Sequence, residues 1–359
     1  MRTGLHRLKD KMLLVSPHKL VSLRTRSAFS SRIKIGFGPI KTGENDLNVR
    51  AWRIDPIVSE INRTSSKYIA DIYFEGDDLR RFDIVIVVKV YGDAVIAELR
   101  KSQGKQTVIF DIVDNPHGCK RNFYDDVEFH ELLKGVIISS PLQLSRFERN
   151  NVSTCLIEHP VISRIQKADY SATGDQITII WQGYQFNRGG IVGLESAVER
   201  ASRQSGATLK LVYHTNLPAS DDGKVQYLPW THENAFSALI TADIAVAARD
   251  NHQTYQAEKP STKVIMYMGV GLPLICNPTA ADELVIENGK TGFLARDDDE
   301  WVELLSTLAL DAELRESVGR AAYNAASSSF SVSTITKKYL SFIDSVHQRS
   351  STGVLQEVF

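Results

Sequence analysis

The sequence lacks three features that would each indicate a particular class of protein. Its three cysteines, Cys119, Cys155 and Cys276, are scattered without metal-ligand spacing, which argues against a disulfide framework and for a reducing compartment. No apolar run is long enough to span a bilayer. The 42 basic and 43 acidic residues leave a net charge of −1, so the basic excess of a nucleic-acid-binding protein is missing. We expect a cytoplasmic protein without a nucleic-acid partner.

Charge is nevertheless uneven, because residues 1–31 are rich in lysine and arginine and contain a single acid, Asp10. This composition predicts a basic N-terminal extension outside the folded domains. Two interpretations stay open. The segment is either a solvated extension, or a patch that contacts anionic lipid at the inner face of the membrane or a lipid-linked substrate.

From residue 32 to 165 the pattern alternates between strands and helices. The segment 83–88 is a nearly continuous β-branched run, which is typical of a parallel strand buried on both faces. Further strands are predicted at 68–74 and 107–112, and a helix at 123–133. The alternation predicts a doubly wound α/β domain.

A second alternation, from 175 to 330, predicts a second α/β domain of the same kind. A last amphipathic helix, 331–348, is predicted to pack back toward the N-terminal domain through an apolar face of Ile335, Tyr339, Phe342, Ile343 and Val346. In doubly wound sheets, ligands bind at the carboxyl ends of the strands. The expected site is therefore a cleft between two Rossmann-like domains.

The stretch 258–273, EKPSTKVIMYMGVGLP, predicts a short buried helix at the centre of this site. Ser261 is the predicted N-cap, and Gly269 and Gly271 end the helix. Because the free N–H groups of a helix N-terminus attract anions, Lys263 in the first turn would complete a site suited to a diphosphate.

The C-terminal half, 177–345, resembles the donor domain of GT-B glycosyltransferases, and within them the family-four-like group. Four blocks match that group in order and spacing: IIWQG at 179–183, ADIAV at 242–246, KVIMYMGVGLPLI at 263–275 and NGKTGFL at 288–294. The N-terminal half is similar in layout only.

The resemblance implies a two-domain enzyme that moves a sugar from a nucleotide-diphosphate sugar to a glycan or lipid-linked acceptor, with retention and without a metal or other cofactor. It implies a catalytic group, a donor-binding group and an acceptor-side group. The catalytic residues are Asp114, His117 and Glu258. The donor-binding residues are Gly183, Arg188, Trp230, Arg249, Ser261, Thr262 and Lys263. The acceptor-side residues are Gly38 and Thr42.

Each of these residues also has a purely structural interpretation. Lys263 would be a solvated helix-face lysine and Ser261 a plain cap. Asp114 and His117 would cap a turn, and Trp230 would be a core or interface side chain.

The sequence departs from the family pattern at two positions. Met266 occupies the place of a second glutamate that usually contacts the ribose, and Gly183-Tyr184 replaces a Gly-Arg pair that meets the diphosphate. A catalytically inactive nucleotide-sugar-binding protein therefore stays an alternative, and a sugar-nucleotide epimerase is a third.

Overall fold

The computed structural model of the 359-residue chain describes residues 32–40, 49–102, 104–114, 123–147, 152–163, 165–172, 176–185, 193–249 and 254–352. The predicted basic extension 1–31 lies outside the described residues, as do Thr42, His117 and Arg188.

Six described strands form the sheet of the N-terminal lobe, in the order β2-β1-β3-β4-β5-β6, and every pairing is parallel. The strands are β1 (Ile33–Ile40), β2 (Tyr68–Phe74), β3 (Ile84–Val88), β4 (Thr107–Asp111), β5 (Gly135–Ile138) and β6 (Ser153–Leu156). All five residues of β3 are buried, as the β-branched run predicts.

Seven described strands form the sheet of the C-terminal lobe, in the order β13-β12-β11-β7-β8-β10-β9. The strands are β7 (Ile177–Gln182), β8 (Leu209–Thr215), β9 (Ser220–Asp221), β10 (Val225–Pro229), β11 (Ile244–Ala247), β12 (Leu274–Cys276) and β13 (Phe293–Leu294). Only the edge pair β9–β10 is antiparallel among them.

Helices cover both sheets. In the N-terminal lobe they are Asp55–Thr64, Asp93–Lys101, Val127–His130 and Leu144–Phe147. In the C-terminal lobe they are Leu194–Ser205, Ser237–Ile240, Thr254–Ala257, Thr262–Gly269, Asp282–Val285, Asp298–Leu310 and Ala312–Ser329, followed by Val332–Thr352. The helix predicted at 123–133 is wrong in extent. A 3₁₀ turn, Phe123–Asp125, comes first, and the Asp126 side chain caps a new helix by accepting from Phe129 N.

The last helix, Val332–Thr352 (the C-terminal helix), packs on the N-terminal lobe. It buries the predicted apolar face, Ile335, Tyr339, Phe342, Ile343 and Val346. The Tyr339 hydroxyl donates to Asp111 at the end of β4, and Arg53 binds the same carboxylate with Nε–Oδ2 and Nη2–Oδ1 distances of 2.8 and 3.0 Å. A buried, bidentate ion pair therefore anchors both the helix and the strand end.

Strand order fixes where a ligand can bind. The direction of chain progression reverses between β1 and β3 in the first sheet and between β7 and β11 in the second. Ligands of doubly wound sheets bind at the carboxyl ends of strands beside such switch points. We therefore expect a ligand to bind beside the residues that follow β3, β7 and β11.

Candidate functional site

Gly183 and Arg249 follow the two strands at the switch point of the C-terminal lobe, β7 and β11. The Gly183 N–H donates to the His214 carbonyl at 3.1 Å, and the preceding N–H of Gln182 donates to the Tyr267 hydroxyl at 3.0 Å. Tyr267 belongs to the helix Thr262–Gly269, which we call the donor helix. These bonds fix the end of β7 against the donor helix.

The donor helix begins after Ser261, as predicted, but the side chain of Ser261 does not cap it. Ser261 is buried, and its Oγ has no hydrogen-bond partner among the described residues. A buried polar atom without a partner is costly. The first-turn N–H groups of a helix also lack intrahelical acceptors, so this helix end presents several donors to a single anion.

Lys263 lies in the first turn, with its Nζ 4.2 Å from the centre of the Trp181 ring. Part of the lysine side chain is exposed, but its ammonium is enclosed, since a Cβ at Gly183 would lie 2.8 Å from Nζ. Burial, followed by the charges of Arg249 and Lys259, lowers the pKa of Lys263 well below its ordinary value. A desolvated cation over an aromatic face is thus held at the helix N-terminus, and glycine at 183 makes room for it.

Arg249 is close to this lysine, but its guanidinium forms hydrogen bonds with backbone carbonyls of the protein. Its Nη1 donates to the Lys259 carbonyl at 3.3 Å and its Nη2 to the Pro260 carbonyl at 3.1 Å. Asp282 Oδ1 lies 3.5 Å from Nη2. Arg249 therefore shapes the turn that leads into the donor helix.

Glu258 precedes this turn and is buried, with 3% exposure. Glu258 is therefore not an exposed loop acid, which would be the structural alternative to its predicted catalytic role. Thr262, the first residue of the donor helix, is partly exposed.

Trp230 follows β10 at the other side of the strand ends. Its backbone N–H donates to the Thr215 carbonyl at 2.8 Å. The centre of its partly exposed ring lies 6.1 Å from that of the Tyr184 ring and 4.8 Å from that of the His232 ring. An aromatic group at this edge offers a face on which a planar base can stack.

In the N-terminal lobe, β3 and β4 lie side by side and end in the same unusual way. Lys89 follows β3 with φ +61°, and Val113 follows β4 with φ +64°. Val90 N donates to the Val88 carbonyl at 2.6 Å and Asp114 N to the Ile112 carbonyl at 2.7 Å. Each strand thus ends in a γ-turn of positive φ, a strained conformation that tends to occur at functional sites.

These two turns place Lys89 and Asp114 together. Lys89 Nζ lies 3.1 Å from Asp114 Oδ2, whereas Asp114 Oδ1 is buried without a hydrogen-bond partner in the described part of the chain. One oxygen of this predicted catalytic carboxylate is therefore held, and the other is available.

Lys259 connects this pair electrostatically to the C-terminal lobe. Burial and then the charge of Arg249 lower the pKa of Lys259 to about 8, Asp114 opposes the shift, and Lys89 adds to it. The turn before the donor helix and the strand ends of the N-terminal lobe are thus within electrostatic range of one another.

A cavity between the lobes is lined by Ser139 and His159 on one side and by Pro260 and Ser261 on the other. Three of its lining residues have a buried side-chain atom without a hydrogen-bond partner in the described residues: Ser139 Oγ, His159 Nδ1 and Ser261 Oγ. His159 Nε2 is bonded to the Val113 carbonyl at 3.2 Å, and burial, with Arg53 nearby, lowers the pKa of His159 to about 3. The residues around the cavity therefore include two hydroxyls and a neutral imidazole without a complete set of hydrogen bonds in the described part of the chain.

Gly38, predicted on the acceptor side, is buried inside β1. A Cβ there would lie 2.3 Å from the Tyr73 carbonyl oxygen. Packing between β1 and β2 alone is thus a sufficient reason for glycine at this position.

Sequence reasoning missed Lys89, Lys259, Ser139 and the environment of His159. The signal for Lys89 was its place directly after a predicted buried strand at a switch point, whereas Asp114 was selected through the family resemblance. No sequence pattern indicated that Lys259 approaches the other lobe, because this depends on how the lobes meet.

Metal-ligand clusters and membrane-spanning helices are both absent from the part of the chain that the structure describes. No group of three or more His, Cys, Asp or Glu side chains there could hold a metal ion. No helix among these residues is both long and apolar enough to cross a membrane.

Residues 196–341 match a family model described as glycosyl transferase-like. No curated protein sequence matches the chain.

Solved structures of similar fold cover most of the chain. Anabaena HepE in complex with UDP-glucose is 12% identical, with a TM-score of 0.62, over 88% of this chain and 100% of that one. Sucrose-phosphate synthase from Thermosynechococcus elongatus is 13% identical, with a TM-score of 0.61, over the same shares. TarM is 15% identical, with a TM-score of 0.56, over 73% of this chain and 54% of its own.

At these identities the structural likeness concerns the fold. It confirms the predicted fold class, two Rossmann-like domains of GT-B type. Together with the glycosyl transferase-like match in the C-terminal lobe, it supports the predicted enzyme class, a glycosyltransferase.

Proposed function

We propose that this protein is a family-four-like, retaining and metal-independent glycosyltransferase. It transfers a sugar from a nucleoside-diphosphate sugar to a hydroxyl of a glycan or lipid-linked acceptor. The observation that carries the proposal is the enclosed Lys263 ammonium, 4.2 Å from the Trp181 ring at the N-terminus of the donor helix.

The donor helix end suits a diphosphate for electrostatic reasons. Lys263 supplies a desolvated amine, and Ser261 supplies a buried hydroxyl that has no partner among the described residues. A bound dianion favours the protonated lysine, so binding itself would restore the ammonium. The same groups would stabilise the charge that develops on the leaving diphosphate, the role that a metal ion plays in other enzymes.

UDP-sugars are the first donors to test, because solved structures of similar fold contain UDP-glucose or UDP with GlcNAc. Trp230 would stack against the base. Arg249 would act through the turn that it holds, which modifies its expected role as a direct ligand.

The sugar would lie beside Ser261, and Glu258 keeps its predicted catalytic role. Transfer would pass through an oxocarbenium-like transition state. Asp114 Oδ1, which is buried and without a partner in the described residues, would accept the proton of the acceptor hydroxyl. A route in which the departing phosphate oxygen takes that proton is the alternative.

A nucleotide-sugar-binding protein without transferase activity is the second candidate. Met266 favours it, since this side chain packs against the hydrophobic core and cannot replace the glutamate that usually binds ribose. The epimerase alternative has no comparable observation in its favour.

A thermal-shift screen with UDP, GDP and dTDP, followed by a donor-hydrolysis assay, tests the proposal. A nucleotide at 100 times its Kd should add about 2.7 kcal/mol to the free energy of unfolding. Slow hydrolysis of the matching sugar donor in EDTA supports a metal-independent transferase, whereas binding without hydrolysis or transfer supports the binding protein. Co-sedimentation with anionic vesicles, with and without residues 1–31, tests the lipid contact of the basic segment.

A further inference from the structure

Lys89 has features that the proposed chemistry does not yet explain. A lysine at φ +61° adopts a backbone conformation that favours glycine. Its Nζ binds Asp114 Oδ2 at 3.1 Å, and both side chains are only about 30% exposed (31% and 29%). A strained backbone and a partly buried ion pair at one residue point to a constraint on side-chain direction.

The two γ-turns are also joined to each other. Lys89 N donates to the Asp111 carbonyl at 2.8 Å, and Val113 N donates to Asp111 Oδ1 at 3.2 Å. Asp111 is in turn held by Arg53 and by the Tyr339 hydroxyl. The backbone that carries Lys89 and Asp114 is therefore held by β4, by Arg53 of the π-helical segment Arg50–Ile54, and by the C-terminal helix.

This arrangement leaves Asp114 little freedom. Because Lys89 engages Oδ2, Oδ1 must point elsewhere, and it is buried without a partner in the described residues. A carboxylate that serves as a proton acceptor needs one oxygen aimed at its substrate.

We propose that Lys89 is a positioning residue that holds the Asp114 carboxylate so that Oδ1 faces the acceptor hydroxyl. The inference rests on the proposed function, in which Asp114 touches the acceptor. Lys89 itself touches Asp114 and carries no chemistry.

The test uses the full-length protein with Lys89→Met, Lys89→Arg and Lys89→Gly, and Lys105→Met as an exposed-lysine control in the same lobe. We expect Lys89→Met to lower kcat about 10- to 100-fold with the donor KM within about twofold, since only transition-state geometry is lost. Lys89→Arg should restore kcat to within about threefold of wild type, and Lys105→Met should leave it unchanged.

Lys89→Gly separates charge from backbone strain. Glycine accepts the positive φ, so this variant should unfold at or above the wild-type temperature while its kcat falls as far as that of Lys89→Met. In a cycle with Asp114→Asn, the double variant should be no slower than Asp114→Asn alone, because both changes act on one group.

Two results overturn the inference: a kcat for Lys89→Met within twofold of wild type, or effects of Lys89→Met and Asp114→Asn that multiply. If wild type shows no turnover with any donor, the proposed function fails, and crystal structures decide the positioning separately. Lys89→Met should then show Asp114 in a different or divided conformation, and an unchanged carboxylate overturns the positioning.

Discussion

The strand ends of the two lobes carry different chemical groups. In the N-terminal lobe, β3 and β4 end in γ-turns of positive φ, and their side chains form an ion pair that leaves one carboxylate oxygen without a partner in the described residues. In the C-terminal lobe, β7 is followed by a glycine beside an enclosed lysine, and β11 is followed two residues later by an arginine that binds the turn before the donor helix. One lobe presents an oriented acid and the other a concentrated positive charge.

The difference suggests that the two lobes have different roles in the reaction. An oriented carboxylate suits proton acceptance, whereas a desolvated cation at a helix N-terminus suits a diphosphate. A change in the N-terminal lobe should therefore affect turnover, and a change in the C-terminal lobe should affect nucleotide affinity as well.

The largest expected effect is that of Asp114→Asn. Because the amide cannot accept the proton, turnover should fall by about two to four orders of magnitude, while UDP affinity, measured by calorimetry, stays unchanged. An effect below threefold removes Asp114 from the mechanism and assigns the proton to the departing phosphate.

Lys263→Met should affect the C-terminal lobe, where we expect the nucleotide to bind. Loss of the enclosed ammonium should lower kcat/KM about 10²- to 10³-fold and weaken UDP binding too. Lys224→Met, at an exposed lysine of the same lobe, is the matched control. Equal UDP affinity in the two variants would show that the diphosphate lies elsewhere.

Gly183→Ala tests the space around that lysine. The added Cβ would lie 2.8 Å from Lys263 Nζ and 2.8 Å from Cη2 of Trp181, so the ammonium must move, and we expect nucleotide affinity to fall about tenfold. Calorimetry with UDP measures the loss, and a thermal melt of the variant without nucleotide shows whether its stability has changed. Unchanged affinity would mean that nucleotide binding does not depend on the present position of the Lys263 ammonium.

The smallest expected effect is a pH dependence of nucleotide binding. Burial and neighbouring cations lower the pKa of Lys259 to about 8, so its ammonium is present below pH 8 and lost above it. If that charge attracts the diphosphate, Kd should rise as pH increases, by up to about tenfold between pH 7 and 9. Lys259→Arg keeps its charge over this range and should flatten the profile; an equally steep profile in that variant excludes Lys259.

The sequence predicted regular elements well where burial was uniform. The strand predicted at 68–74 has the limits of β2, the β-branched run at 83–88 contains β3, and helical periodicity predicts the buried face of the C-terminal helix. The break at Asp126 was missed because a capping side chain interrupted an otherwise helical pattern.

The candidate site was predictable in part. Lys263 and Gly183 were found from their blocks and their order, but their contact, and the enclosure of the ammonium by Trp181, depend on tertiary packing. Lys89 was missed because a positive φ does not change the pattern of apolar residues in a sequence. Lys259 was missed because its approach to the other lobe depends on how the lobes pack. Domain limits and most site roles stay predictions.

A crystal structure of the protein with UDP tests the central claim most directly. The account predicts the β-phosphate at the N-terminus of Thr262–Gly269, within hydrogen-bond distance of Lys263 Nζ and the Ser261 hydroxyl. A nucleotide bound away from this helix end, or a helix end covered by the protein's own chain while UDP is bound, would contradict it.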